Sequence, residues 1–134
     1  MVNLMREILF RGKRADSIFR SEWIEGSLWN NYGEVKILSA LNAIGYEVIP
    51  ETIGQYTGLT DKNGKKIFEG DVLVICNNRE HPVLVKFLDF EWDCVIPNVN
   101  AYIHYRHRLE NNNAKYEIIG NIHDNPELMK GGER

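Results

Sequence analysis

Three histidines are the residues of this chain best suited by type to bind a metal ion. His104 and His107 are three positions apart, and His123 follows later in the sequence. Residues at this spacing share a face of a helix but point to opposite sides of a strand. No carboxylate or thiol completes a metal set close to the first two histidines. We therefore predict no metal site and no cofactor, and a metal-dependent hydrolase or nuclease is the least favoured function.

Carboxylates are also candidate catalytic groups, because a pair of them can perform acid–base catalysis. Glu51, Glu69 and Asp71 lie within one short stretch of the chain. Glu69-Gly70-Asp71, however, has the composition of a turn that leads into a strand, where Asp71 is expected to accept hydrogen bonds from backbone amides. The sequence also lacks a Gly-x-Ser-x-Gly elbow and a phosphate-binding loop. We predict no catalytic residues and favour a protein that is not an enzyme.

A third set of residues combines aromatic rings with guanidinium groups, as surfaces that bind single-stranded nucleic acid do. The alternation in residues 101–109 places four of them on one strand face: Tyr102, His104, Arg106 and Arg108. Arg11, Lys13 and Arg14 extend this binding surface if they lie beside it. The alternative is that these charged residues only occupy solvent-exposed strand faces, and that the three tryptophans lie in the core or between lobes.

The elements that position these residues are read from turn signals and alternation. Asn63-Gly64 stands between apolar residues, which is a strong signal for a β-hairpin. The β-branched run at residues 72–75 then predicts a buried strand. Further strands are expected in residues 22–28, 83–88, 90–96, 101–109 and 116–122. Asn125-Pro126 resembles a helix start, with a cap followed by proline at the first helical position.

Residues 34–43 are ambiguous between a helix and an extended insertion. Ile37, Leu38, Leu41 and Ile44 follow a helical spacing, and Gly45 stands where a helix end would need it. We favour a short helix at this point.

Three segments resemble the YopX family of small proteins carried by phages and prophages. Residues 6–14 resemble its opening strand, residues 49–72 its central signature, and residues 118–128 its closing strand. The resemblance implies an all-β protein with a small SH3-like barrel and a biochemical role that is not established. Residues 28–46 and 98–113 depart from the family pattern.

Together these observations predict a mainly β fold with two lobes. An N-terminal β lobe (residues 1–60) is expected to pack on a small SH3-like β-barrel lobe with a short C-terminal helix (residues 61–134). The expected function is that of a phage- or prophage-encoded accessory protein, a non-enzymatic binding module for a host or phage macromolecule, with nucleic acid among the candidates. The alternative is an oligomeric structural or scaffold protein, since exposed strand edges favour a homo-oligomer.

Composition limits the remaining classes. The chain has 134 residues, 43% of them hydrophobic, and a net charge of -3. Its first 20 residues are basic, with five basic and two acidic side chains, but this strip is too short for a general nucleic-acid coat. The absence of a signal peptide and of a long apolar run predicts no membrane association and a location in the cytoplasm of a bacterial host. Cys76 and Cys94 are expected to be reduced, packed thiols.

Overall fold

The chain folds into β-strands that form two antiparallel sheets, as the alternation predicts. The computed structural model describes residues 7–16, 18, 22–97 and 103–133. The strands are β1 (Phe10–Lys13), β2 (Trp23–Asn31), β3 (Glu34–Ser39), β4 (Gly45–Glu47), β5 (Gly54–Thr60), β6 (Lys66–Phe68), β7 (Asp71–Ile75), β8 (Val83–Leu88), β9 (Glu91–Pro97), β10 (Ile103–Arg108) and β11 (Tyr116–Asn121). Short 3-10 helices span Pro50–Thr52, Asn113–Lys115 and Pro126–Glu133.

The chain divides into two compact units, Met1–Gly58 and Leu59–Arg134. The strand order of the first sheet is β4-β3-β2-β1-β5-β6, and that of the second sheet is β10-β9-β8-β7-β11. Strand β5 therefore runs across the boundary between the units. None of the helical segments among the described residues is long and apolar enough to cross a membrane.

The sheet of the first unit curls on itself. Arg14, just after β1, forms a β-bridge with Val48, just after β4. The amide of Ala15 donates a 2.9 Å hydrogen bond to the carbonyl oxygen of Glu47, which covers part of the free edge of β4. A covered edge is protected from pairing with another chain. The concave side of the curl holds the core of this unit, which consists of the buried residues Ile24, Ile37 and Val48.

The helix predicted for residues 34–43 is wrong, because Glu34–Ser39 is strand β3. It pairs with the long strand β2 through a two-residue turn in which Tyr32 (φ 52°) and Gly33 (φ 87°) adopt the left-handed conformation of a hairpin turn. The β-branched Val35 and Ile37 suit an extended backbone. Burial follows the two-residue period, since Ile37 is fully buried while its neighbour Leu38 is 46% exposed. Hairpin pairing therefore overrides the weak helical spacing.

The predicted hairpin followed by a core strand is confirmed by β5, β6 and β7. The loop at residues 61–65 is longer than a two-residue turn, and Gly64 within it has φ 79°. Asp61 is fully buried and organises this loop. Its Oδ1 accepts 2.9 Å hydrogen bonds from the amides of Asn63 and Lys65, and its Oδ2 accepts one of 3.0 Å from the amide of Ile118. The loop geometry is thus held by a carboxylate as well as by the glycine.

Asp71 has the role that the sequence predicts for it at a strand entry. The side chain is buried, and its Oδ2 accepts a 2.7 Å hydrogen bond from the amide of Phe68. This bond closes the turn that joins β6 to β7. The neighbouring Glu69 is partly buried, and burial raises its pKa, while a backbone hydrogen bond at Phe87 and the charge of Lys86 lower it. Asp71 therefore has a structural role in this turn.

The sheet of the second unit carries packed side chains on both faces. Buried residues on one face include Leu73, Val85 and Cys94, and those on the other include Val72 and Met129. The sheet is open, with β10 and β11 at its edges, so the expected SH3-like barrel is not confirmed as a closed barrel. The expected C-terminal helix is not confirmed either, since Pro126–Glu133 is a 3-10 helix.

Candidate binding surface

The structure brings together only part of the binding set predicted in β10. Arg106 and Arg108 share a face of this strand, opposite Val95 and Asp93 of β9. The register shifts between Ile103 and Tyr105, so the two-residue alternation does not continue across His104. Tyr102 lies outside the described residues, and for His104 only the backbone is described. Of the predicted row of four side chains, the structure therefore describes two, those of Arg106 and Arg108.

Arg106 is held by carboxylates of its own unit. Its Nη1 donates a 2.8 Å hydrogen bond to Oδ2 of Asp89, and its Nε donates one of 2.7 Å to Oδ2 of Asp93. These hydrogen bonds raise the pKa of Arg106. A guanidinium bound to two carboxylates has little net charge left for a phosphate. The role that this geometry supports for Arg106 is structural.

The N-terminal basic run divides between the two faces of the first sheet. Arg11 and Lys13 lie over the ring of Trp23, with Cζ of Arg11 4.7 Å and Nζ of Lys13 5.8 Å from its centroid. Arg14 lies instead over the ring of Tyr46, at 4.7 Å, and forms ion pairs with two nearby carboxylates. Only the first two of the three predicted residues therefore contribute to the outer face of this sheet.

Strand register defines that outer face, which we call the tryptophan face. Because side chains alternate along a strand, Ile24 and Gly26 of β2 face the core and the odd-numbered residues of this strand face outward. Cross-strand partners of these outward residues come from β1, β3 and β4. The tryptophan face consists of Arg11, Lys13, Trp23, Glu25, Ser27, Trp29, Asn31, Glu34, Lys36, Leu38, Gly45 and Glu47.

A shallow apolar depression lies at one end of the tryptophan face. Its volume is about 330 Å³, and it is lined by Ser27, Leu28, Trp29, Lys36, Leu38 and Gly45. Trp29 and Leu38 are 45% and 46% exposed. Gly45 has no side chain to fill the space, and a Cβ there would meet only Cδ of Lys36, at 3.8 Å. The depression thus presents an indole and an isobutyl group to solvent.

Charges on the tryptophan face balance each other. Its three basic residues, Arg11, Lys13 and Lys36, are matched by three acidic ones, which are Glu25, Glu34 and Glu47. Lys36 forms a 3.3 Å ion pair with Glu34, and its Nζ lies 5.5 Å from the ring centroid of Trp29. An exposed apolar centre with a polar rim of both charge signs is typical of protein–protein interfaces.

Sequence reasoning missed Trp23, Trp29 and Leu38 as surface residues. It assigned the tryptophans to the core or to lobe contacts and placed Leu38 in a helix. One signal was available, since Trp23 and Trp29 are six positions apart, an even spacing that places both on one face of a continuous strand. That signal has meaning only once β2 is known to extend to Asn31.

The remaining reactive residues do not form a site within the described part of the chain. No group of three or more His, Cys, Asp or Glu residues there is arranged to hold a metal ion. Cys94 is a free, buried thiol, as predicted, and burial raises its pKa to about 12. Cys76 is also free but exposed, so the prediction that it is packed is wrong. It lies in the turn after β7, where its φ is 50°.

These features define a class of protein, a small β protein of two antiparallel sheets whose first sheet has an exposed aromatic face. Comparison with protein families assigns the chain to a family within that class. The model of the family described as YopX protein matches residues 10–130, and the chain therefore belongs to this family.

Comparison with solved structures shows one of similar fold and a second of lower similarity. The crystal structure of protein EF1440 from Enterococcus faecalis has a TM-score of 0.53 and 24% identity, covering 93% of this chain and 99% of that chain. The crystal structure of protein yopX from Bacillus subtilis has a TM-score of 0.48 and 18% identity, covering 93% of this chain and 97% of that chain. No match was found among curated proteins.

Proposed function

We propose that this chain is a phage- or prophage-encoded accessory protein that acts in the bacterial cytoplasm as a non-enzymatic binding module. Its ligand is a protein partner that docks on the tryptophan face. The observation that carries this proposal is the pair Trp29 and Leu38, both about half exposed around the 330 Å³ depression. The membership in the YopX family supports the phage origin, through the character of the family that the sequence resembles.

Energetics favour a contact centred on this pair. Tryptophan is enriched among the few residues that dominate binding free energy, and such residues lie in desolvated pockets surrounded by polar contacts. Completing the burial of a half-exposed Trp and a half-exposed Leu contributes about 1 kcal/mol each or more, from the apolar area removed from water. The charged rim of the tryptophan face then sets the orientation of the partner.

A protein fits this surface better than a nucleic acid does. Binding of nucleic acid depends on cations that neutralise phosphates. On the tryptophan face each cation has a matching carboxylate in the same face, and Arg11 and Lys13 already lie over an indole ring. In the second unit, Arg106 is held by Asp89 and Asp93. Arg108 remains the one predicted residue of that strand without an ion pair among the described residues.

The experiment compares the proteins that the chain retains with those retained by a double variant, Trp29→Ala with Leu38→Ala. Immobilised protein is exposed to lysate of infected host cells, and the retained proteins are identified and quantified. We expect the specific partner to fall at least tenfold with the double variant, because the apolar centre of the contact is lost. Both side chains are half exposed, so the fold should tolerate the change, and circular dichroism checks this.

A matched control keeps the experiment specific. Phe90→Ala removes an aromatic side chain that is 96% exposed in the second unit, and it should leave the retention unchanged. Equal retention by the wild type and the Trp29→Ala, Leu38→Ala variant would contradict the proposal, as would equal losses with the Phe90 control.

The strand order of the second unit supports a finer structural proposal, that it is an SH3-like barrel. In SH3-like barrels a four-stranded meander is followed by a 3-10 turn and a last strand that pairs with the first. Here β7, β8, β9 and β10 form the meander, Asn113–Lys115 is the 3-10 turn, and β11 pairs with β7. With this correspondence, residues 61–134 form the barrel lobe and residues 1–60 the N-terminal β lobe.

A second candidate function is an oligomeric scaffold, in which a second copy of the chain occupies the tryptophan face. The balance of acidic and basic residues on that face is the observation that favours it, because a self-complementary patch needs both signs. Light scattering that shows a monomer at high concentration would remove this candidate and leave the protein-binding proposal in place.

A further inference from the structure

Asp93 is a buried carboxylate with one oxygen in use and one without a partner. The residue is fully buried in β9. Its Oδ2 accepts the 2.7 Å hydrogen bond from Nε of Arg106, whereas its Oδ1 is buried and accepts no hydrogen bond from an N–H or hydroxyl group. An unsatisfied buried oxygen of this kind costs free energy, and more so on a charged group. A hydrogen-bond donor at Oδ1 would therefore stabilise the folded protein.

Glu91 is placed to supply that donor. It lies two residues before Asp93 on the same strand, so both side chains project from the same face. Two charged carboxylates side by side on one strand face repel each other, and this repulsion is relieved when one of them keeps a proton.

The other charged groups around this pair come from three elements. Arg106 and Arg108 face it from β10, and Arg108 is the cross-strand partner of Asp93. Lys86 of β8 is the partner of Asp93 on the other side, and Asp89 in the β8–β9 turn binds Arg106. The C-terminal 3-10 helix, which also contacts β9, contributes the apolar Leu128 and Met129 to the core on that side of the sheet.

We propose that Glu91 and Asp93 share one proton, which stays on the Glu91 carboxyl group and is donated to Oδ1 of Asp93. Arg106 holds the other oxygen of Asp93 and links the pair to Asp89 in the β8–β9 turn. When the pair ionises, the proton goes to solvent, and two negative carboxylates remain at the same place in the sheet. The pair is thus a pH-sensitive device that stabilises the β8–β9–β10 part of the second unit in acid.

The electrostatics of Glu91 agree with this arrangement. Its pKa is raised, first by the hydrogen bond with Asp93, then by burial and by the charge of Asp93, while Arg108 and Arg106 act in the opposite direction. A carboxyl group with a raised pKa in the folded state binds its proton more tightly there than in the unfolded chain. Its contribution to stability is therefore complete below the ordinary glutamate pKa and is lost as the pH rises through the raised value.

The test measures the titration of Glu91 directly and then its effect on stability. Carbon-detected NMR of the side-chain carboxyl groups should show Glu91 titrating above the ordinary value for glutamate. In Glu91→Gln the amide donates to Oδ1 of Asp93 at every pH. The unfolding constant of the wild type, divided by that of Glu91→Gln, should therefore rise with pH. The rise should be at most about tenfold per pH unit, in the range between the pKa of Glu91 in the unfolded chain and its raised pKa in the folded protein.

The matched control is Glu80→Gln, which changes an exposed carboxyl group in the loop between β7 and β8 and should show no such rise. The NMR titration needs only the wild-type protein, so it tests the proposal even if a variant folds poorly. A Glu91 that titrates at or below its ordinary pKa would overturn the proposal. So would unfolding curves of wild type and Glu91→Gln that keep a constant ratio from pH 4 to pH 7.

Discussion

Asp61 shows at the scale of one residue how a carboxylate can have a purely structural role. It is fully buried, and both of its oxygens accept hydrogen bonds from backbone amides, two within its own loop and one from Ile118 of β11. Bonds from amides to a carboxylate are stronger than those between neutral groups. Asp61 thus fixes the loop after β5 and ties it to the last strand of the sheet.

Replacing Asp61 with asparagine should destabilise the protein. The side-chain amide of Asp61→Asn keeps the shape but turns an NH₂ group toward amide donors, which leaves at least one buried donor unsatisfied. We expect a loss of about 2 kcal/mol in the free energy of unfolding, measured by urea denaturation. The matched control, Asp16→Asn, changes an exposed carboxylate beside Arg14 and should alter stability by less than about 0.5 kcal/mol. Equal effects of the two substitutions would contradict this role of Asp61.

At the scale of the element, the turn between β8 and β9 contains residues that are unusual in a hairpin turn. The β8–β9 turn consists of Asp89 (φ 49°) and Phe90 (φ 67°), both in the left-handed conformation. A bulky aromatic residue seldom adopts this conformation, whereas asparagine and glycine adopt it readily. Phe90 is also 96% exposed, so it contributes little packing. The turn therefore stores backbone strain at an exposed tip.

Substituting Phe90 with asparagine should relieve that strain. We expect Phe90→Asn to raise the free energy of unfolding by about 0.5–1 kcal/mol, since asparagine tolerates positive φ. Thermal or urea denaturation measures the gain. Leu41→Asn is the control, because Leu41 is 97% exposed but is not among the residues with positive φ. It should change stability by no more than about 0.5 kcal/mol. A loss of stability in Phe90→Asn would show that the side chain of Phe90 packs in solution.

Charge is the property that matters most at the scale of the whole molecule. The chain has 16 basic and 19 acidic residues, and the structure pairs several of the basic ones with carboxylates in their own unit. A molecule of this kind has no large positive field to attract phosphates. The binding surface that we propose consists of apolar and aromatic groups instead.

Filter binding with labelled single- and double-stranded DNA and RNA tests this conclusion. We expect no salt-sensitive retention at physiological ionic strength, because binding through phosphates requires cations that release counterions. The double variant Arg106→Ala with Arg108→Ala should likewise show no retention, and circular dichroism checks that it folds without the ion pair between Arg106 and Asp93. Strong retention that weakens steeply with salt and falls in the double variant would restore the nucleic-acid surface predicted in β10.

Local sequence signals determined most of the strands and the central hairpin of this protein. Alternation, β-branched runs and the Asn63-Gly64 turn are properties of neighbouring residues, and so is the strand-entry hydrogen bond of Asp71. The helix predicted for residues 34–43 failed because the long partner strand β2, which lies outside that window, supplies the pairing that makes β3 extended.

Only the tertiary structure decided where the surfaces and charge pairs lie. Strand register, which no single segment encodes, placed Leu38 on the same outer face as Trp29, and it placed Lys13 opposite Trp23. Register likewise brought Arg106 to Asp93, 13 positions away. Sequence by itself determines which segments can be extended, because that depends on local geometry. The proposed binding surface depends on which extended segments pair and in what register, and that is settled by the packing of the whole chain.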